Sequence, residues 1–317
     1  EAVTAATHPR AQVAAIGPAG ENLCRSAAVV AGGPAARAAG RTGMGAVMGS
    51  KLLKAIAVWG RERPPVRHPQ RLRDVVSEAV PAIRSFTRML YEYGTPGSVQ
   101  AVEAFGDLPI RNWVGGSWPR GAAAVSGQRM AESILAGHYA CFSCPIRCGK
   151  EVRVEAGPHA GTVSHGPEYE ACAGFGSMVL NEDLGVLVAA NDLCNRLGID
   201  TISAAAAVAF AMEAAEKGLL SAVTSGGAPA AWGSAAFILG AIDDIAHRRG
   251  VGELLSDGAV AAAARLGGVA ADLAVHVKGL DVAFHDPRAF TSMAVVYGTG
   301  SRGACHLEGL SYFVEGG

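Results

Sequence analysis

Residues 183–198 read DLGVLVAANDLCNRLG and residues 199–218 read IDTISAAAAVAFAMEAAEKG, and these two stretches decide the fold class. In the first, Leu184, Leu187, Val188 and Cys194 recur on one face at helical spacing, with Asn191 as the one polar interruption, which predicts a helix over 183–197. Gly198 is placed to end it, because the residue just past a helix favours a left-handed backbone that glycine adopts without steric cost. Asp200 can then cap a second, alanine-rich helix over 201–217, closed by Gly218.

Working outward, helical periodicity also covers 71–93, 235–248 and 252–266, so the second half reads as largely α. The first stretch, up to Trp59, is different. Strand-like segments at 12–16 and 53–58 alternate there with glycine-rich turns, including Gly40-Arg41-Thr42-Gly43-Met44-Gly45, and it reads as part of a mixed β domain. The intervening Arg61-Glu62-Arg63-Pro64-Pro65-Val66-Arg67-His68-Pro69 can continue neither a helix nor a central strand. We therefore expect an α+β chain with domains at 1–62, 63–245 and 246–317. No internal repeat is evident.

The 317 residues are 50% hydrophobic and 17% charged with a formal net charge of −1, a globular composition without the field a nucleic-acid or membrane-surface binder needs. Small molecules and proteins are the expected partners. No apolar run approaches the roughly 20 residues of a membrane helix. The start, Glu1-Ala2-Val3, has neither an initiator Met nor a signal-like segment and reads as a chain whose beginning is missing. Seven cysteines, three of them within eight residues, suit a metal site in a reducing cytoplasm better than a disulfide framework.

That crowded segment is Cys141-Phe142-Ser143-Cys144-Pro145-Ile146-Arg147-Cys148. Its C-x2-C-x3-C spacing lets a tight loop aim three sulfurs at one centre, with Phe142 and Ile146 available as apolar cover. An iron-sulfur cluster, a zinc site and three inert buried thiols are the competing readings. A [4Fe-4S] cluster needs a fourth ligand, and the spacing nominates none of Cys24, Cys172, Cys194 or Cys305. The segment Gly43-Met44-Gly45-Ala46-Val47-Met48-Gly49-Ser50-Lys51 fits neither a P-loop nor a dinucleotide fingerprint. It is either a close-approach backbone, flanked by Arg41 and Lys51 for an anionic group, or a plain turn between strands.

Eight segments, taken together and in order, resemble the aldehyde:ferredoxin oxidoreductase family. They are IGPAGENL at 16–23, AGRTGMGAVMGSK at 39–51, the cysteine triplet, GPEYE at 166–170, CNRLGIDT at 194–201, VHVKGL at 275–280, DPR at 286–288 and SRGACH at 301–306. The resemblance implies a β-rich pterin-binding domain followed by helical domains. These would enclose one tungsten or molybdenum atom carried by two pyranopterins, beside a [4Fe-4S] cluster that passes electrons to ferredoxin. On that pattern Cys141, Cys144 and Cys148 bind the cluster. Asn195 and Asp200 occupy the pterin-binding D-x-x-G-L-D/C position, with Asn195 where the family often has Asp, and Arg41 and Lys278 contact pterin or phosphate.

Glu170 and His276 match the positions that face the metal. Oxidising a hydrated aldehyde to a carboxylate calls for such a pair, a proton acceptor near water and a donor near the substrate oxygen. Glu168 as the inward carboxylate, and His276 as a core residue between two valines, are the alternatives. The resemblance implies further pterin-binding segments before this chain, and the fourth cysteine with a second D-x-x-G-L-C motif after it. The implied activity is aldehyde oxidation. Reduction of an acyl-CoA or carboxylic acid by the same cofactor, a non-catalytic zinc module and an inactive fragment are the competing expectations, and self-association is left open.

Overall fold

The computed structural model describes residues 2–32, 36–220 and 223–315, apart from the side chain of Phe313. Glu1, Gly316 and Gly317, at the ends of the first and last expected domains, lie outside the described residues. Strands β1 (Gln12–Ile16), β2 (Val29–Ala31), β3 (Arg37–Ala39) and β4 (Ala55–Val58) form an antiparallel sheet in the order β3-β2-β1-β4. Ala14 sits opposite Ala31 on one side and Ile56 on the other. The glycine-rich stretch between β3 and β4 is mostly helical, where a turn between strands was one expectation: α1 spans Met44–Ser50. Gly49 makes this possible, since a Cβ there would lie 1.9 Å from the carbonyl oxygen of Gly20, so the helix lies directly on the segment after β1.

Residues 60–68 are exposed and belong to no helix or strand. The expected helix over 71–93 is two helices, α2 (Pro69–Phe86) and α3 (Arg88–Tyr93). They part at Thr87, whose N–H and hydroxyl both donate to the Ile83 carbonyl, at 2.9 and 2.7 Å. A second antiparallel sheet follows, β5 (Leu135–Tyr139), β6 (Gly149–Arg153) and β7 (Val163–His165), with the cysteine loop as the β5–β6 connection. After it come α4 (Tyr169–Gly174), α5 (Leu184–Leu197), α6 (Thr201–Glu216), α7 (Ala235–His247) and α8 (Ala259–Leu266). The expected helix over 252–266 is interrupted, because Gly258 takes φ +88° between Gly252–Leu255 and α8.

Helix α6 is the axis of the core. Every side chain from Ile202 to Ala214 is buried, and its alanines let the neighbouring helices come close. Phe210 of this helix and Phe175, Phe237, Phe284, Met178 and Leu187 are fully enclosed. Each such burial is worth about 1.5–3 kcal/mol against exposure. The expected division at 245/246 falls inside α7, where Ile245 and Ala246 are buried, so the helix carries the chain through without a break. Among the described residues no helix is long and apolar enough to cross a membrane.

Gly198 and Asp200 cap as the sequence predicts, and Asp183, expected inside α5, is instead its N-terminal cap. Asp183 accepts from the N–H groups of Gly185 and Val186 at 2.7 and 3.2 Å, and Gly198 ends α5 at φ +71°. Asp200 caps α6 through the Ser203 N–H at 3.1 Å. This corner is also where the first sheet docks: Ala28 N–H donates to the Gly198 carbonyl and Asp200 N–H to that of Ser26, each at 2.8 Å. The chain is thus a mixed α+β protein in which a sheet abuts the turn between two core helices.

Candidate active site

Glu170 stands in the first turn of α4 and points away from the helix. Its Oε2 accepts from the Phe284 N–H at 2.9 Å, while its buried Oε1 takes no hydrogen bond and lies 3.5 Å from His306 Nε2. His306 comes from the loop after the last long helix, Thr291–Thr299, and its buried Nδ1 also has no partner. Burial pushes this imidazole below its usual pKa, against the opposing pull of Glu170. Behind the pair, His285 Nδ1 meets the fully buried Asp107 Oδ2 at 2.6 Å, and its ring stacks on Tyr169 at 4.5 Å between centroids. Burial raises the Asp107 pKa, and His285 pulls it back. Two carboxylates and two imidazoles therefore meet in a region with little water, an arrangement suited to holding and moving protons.

His276 is elsewhere. It lies exposed on the two-residue strand His276–Val277 paired with Leu280–Asp281, and its Nδ1 only accepts from the Gly279 N–H at 3.2 Å. The expected Glu170–His276 pairing is therefore corrected to Glu170–His306. The alternating V-H-V of 275–277 favours a strand, and a two-residue hairpin presents that histidine to solvent. The alternative in which Glu168 is the inward carboxylate is not what the chain builds either. Glu168 is part-exposed, paired with Arg37 at 3.3 Å and bonded by the Thr95 hydroxyl at 2.6 Å. Neither His306 nor the Asp107–His285 pair was nominated from sequence, although 301–306 and 286–288 were among the motifs.

Arg41 and Asp200 come together at the sheet–helix corner. Arg41 donates through Nη2 to the carbonyls of Asp281 and Ala304, and its Nε lies 3.7 Å from Asp200 Oδ2. Its Nε and Nη1 are buried without a hydrogen-bond partner, so the guanidinium retains donors for an anionic or carbonyl-bearing group. Gly40 leaves the room: a Cβ there would sit 2.8 Å from Asp200 Oδ1. Burial raises the Asp200 carboxyl and pushes that of Asp281 up to about 6, with Arg41 opposing both. Ala304, which Arg41 holds, is two residues before His306, so this corner and the Glu170–His306 pair share one neighbourhood.

Lys278 lines a cavity of about 450 Å³ with Arg25, Gly40, Gly43, Asp281 and Arg302, its Nζ tied to the Gly300 carbonyl at 2.8 Å. Asn195 faces a different space, a cavity of about 650 Å³ also lined by Asp192, Glu151 and His165. The four residues expected to hold a pterin therefore sit in two groups. Lys278 lines the first hollow, Arg41 and Asp200 stand at the corner beside its lining residue Gly40, and Asn195 opens on another. The unpartnered guanidinium donors and the side-chain-free surface at Gly40 fit a pterin at the first.

Cys141, Cys144 and Cys148 are free thiols on one irregular loop, Cys141 exposed and the other two half-buried. Cys144 N–H closes a turn onto the Cys141 carbonyl at 3.0 Å, and Ser143 and Arg147, each just before the next cysteine, both adopt φ +56°. Burial raises the Cys148 thiol, Glu168 adds to the rise and the Arg37 guanidinium opposes it. Among the described residues no group of three His, Cys, Asp or Glu is disposed around a single metal ion. A [4Fe-4S] cluster binds each thiolate to a different iron, and three free cysteines on one loop, with the Cys144 N–H turned onto the Cys141 carbonyl, fit that wider arrangement. Phe142, expected as cover, is fully exposed; Ile146 is the one turned inward.

Comparison with known proteins adds to this geometry. The family model of the aldehyde ferredoxin oxidoreductase N-terminal domain matches residues 1–60, and that of domains 2 and 3 matches residues 72–317. The chain is 39% identical over 303 residues to the tungsten-containing aldehyde ferredoxin oxidoreductase of Pyrococcus furiosus, covering 94% of this chain and 49% of that one. The protein of the same name from Thermococcus kodakarensis is 38% identical over 300 residues, at 93% and 48% coverage. An aliphatic sulfonate oxidoreductase WOR-like subunit from P. furiosus is 30% identical over 280 residues, at 86% and 44%. Among solved structures, the active-site complex BamBC of benzoyl coenzyme A reductase superposes with a TM-score of 0.74 at 22% identity. It covers 95% of this chain and 47% of that one, a likeness of fold. The chain spans about half the length of the curated relatives it matches.

Proposed function

This chain belongs to the aldehyde ferredoxin oxidoreductase family, and from that premise we propose that it serves an enzyme oxidising an aldehyde to a carboxylic acid, with electrons leaving through a [4Fe-4S] cluster to ferredoxin. The observation that carries this reading is the half-buried Glu170–His306 pair at 3.5 Å, beside an Arg41 guanidinium with donors to spare. The family's tungsten pterin, when bound, supplies the centre that accepts the two electrons of the oxidation. Lys278 would hold it from the first hollow with Arg41 and Asp200 at the adjoining corner, Asn195 would reach it from the second, and Cys141, Cys144 and Cys148 would ligate the cluster.

The reaction combines an aldehyde with water and yields a carboxylic acid, two protons and two electrons. Glu170 accepts one proton at Oε1 as water adds to the carbonyl carbon, while the Phe284 N–H fixes the other oxygen. His306 holds or donates a proton at Nε2 toward the substrate oxygen. Its depressed pKa keeps it neutral near pH 7, so it gives up an acquired proton readily. The His285–Asp107 pair keeps the wall behind Tyr169 ordered.

Turnover by the full-length enzyme, purified anaerobically, tests the reading. Aldehyde-dependent reduction of a viologen dye is the expected result. Its absence, together with acyl-CoA-dependent oxidation of the reduced dye, would replace aldehyde oxidation with acyl reduction.

A further inference from the structure

Beside the cysteine loop lies a groove of about 270 Å³ whose walls are the α2–α3 junction and the loop itself, lined by Arg84, Arg88, Tyr91, Pro145, Ile146 and Arg147. Three guanidinium groups meet there. Among the described residues Arg84 and Arg147 make no ion pair, and Arg88 is tied only to Glu92, at 2.7 Å. The walls are locked together by Lys150, which is 4% exposed and donates to the carbonyls of Tyr91 at 2.7 Å and Cys148 at 2.9 Å. One buried ammonium thus ties the end of α3 to the third cysteine, so the groove is preformed.

Large apolar side chains surround it in the open. Phe86 is 93% exposed, Phe142 fully exposed and Met89 more than half exposed, and α2 buries no residue along its length. Arginine, aromatic and methionine side chains are the composition that concentrates binding energy at protein interfaces. The unbalanced positive charge selects a negatively charged partner, and the groove's wall is the cysteine loop.

The geometry points to this groove as the docking surface for an acidic electron-carrier protein, which takes electrons from the cluster across the Pro145–Arg147 edge of the loop. The assignment rests on the reading that Cys141, Cys144 and Cys148 hold the cluster. No bond is made or broken in the contact; one electron passes from reduced cluster to oxidised carrier.

The test uses the full-length, cluster-loaded enzyme with the double substitution Arg84→Glu and Arg88→Glu. Both residues are exposed, so the fold is preserved. Binding to an immobilised acidic ferredoxin is measured at low and high salt. The expected result is a Kd weakened by about 10- to 100-fold at low salt, with the difference closing at high ionic strength, where exposed charges are screened. The paramagnetic resonance of the dithionite-reduced cluster and the elution volume of the protein stay as in the wild type. An unchanged Kd at low salt overturns the assignment. So does a shift in elution volume, which would mean the groove is covered by a second copy. A wild-type protein lacking the cluster signal fails at the earlier step, the cluster reading, and removes the assignment with it.

Discussion

Replacing Glu170 with Gln separates the chemistry of the site from its architecture. A glutamine side-chain carbonyl can still accept from the Phe284 N–H, the 2.9 Å contact that fixes Oε2, so α4 and its neighbours should fold as before. What disappears is the negative charge 3.5 Å from His306 and the ability to take up a proton there. General-base catalysis contributes roughly 10²- to 10⁴-fold, about 3–5 kcal/mol of barrier, so kcat for aldehyde-dependent dye reduction should fall by that factor at unchanged tungsten and iron content. The pH profile carries a second signature. Burial depresses the His306 pKa, and Glu170 is the main influence opposing it. Losing the carboxylate therefore lowers that pKa further, and any acid limb due to His306 moves to lower pH. A kcat within threefold of wild type at full metal loading would refute the assignment of Glu170 as the base.

His276→Ala should leave kcat and KM within about twofold, because this exposed side chain touches only the Gly279 N–H; a hundredfold loss would restore the family-derived pairing. Asp281→Asn tests the buried carboxyl under Arg41. An acid raised from 3.8 to about 6 on folding makes the native state bind more protons than the unfolded one between those pH values. Stability then falls as pH rises through that window, by on the order of 3 kcal/mol. The asparagine variant should lose that slope and match the wild type below about pH 4, while exceeding it in urea midpoint above pH 6; identical pH profiles would contradict the carboxyl's burial cost. Gly49→Ala should lose several kcal/mol of stability, since the new Cβ meets the Gly20 carbonyl oxygen at 1.9 Å, and an unshifted melting temperature would show that α1 does not lie where described.

The parts of this protein that were legible in its sequence are those specified by neighbouring residues. The α5–α6 corner declared itself through Gly198 and Asp200, whose capping needs only the adjacent backbone. The cysteine loop was legible for the same reason, three thiols within one tight connection. Interruptions were missed where a single residue outweighs a periodic pattern, as at Thr87 and Gly258. The Glu170–His306 contact was missed because it is not local. Glu170 and His306 come from distant parts of the chain and are brought together by packing around Phe284, while His276 was nominated by its place in a family-like motif, which says nothing of what its strand faces. Phe142 is fully exposed for a related reason: it sits in sequence between Cys141 and Cys144, but that says nothing of its neighbours in space.

Iron analysis and low-temperature electron paramagnetic resonance on the anaerobically purified full-length protein, wild type beside Cys148→Ser, test the central claim most directly. The account predicts about four irons per chain and a reduced-cluster signal in the wild type, with both lost or sharply diminished in the variant. Zinc in place of iron, or an iron-sulfur signal indifferent to Cys148, would contradict it.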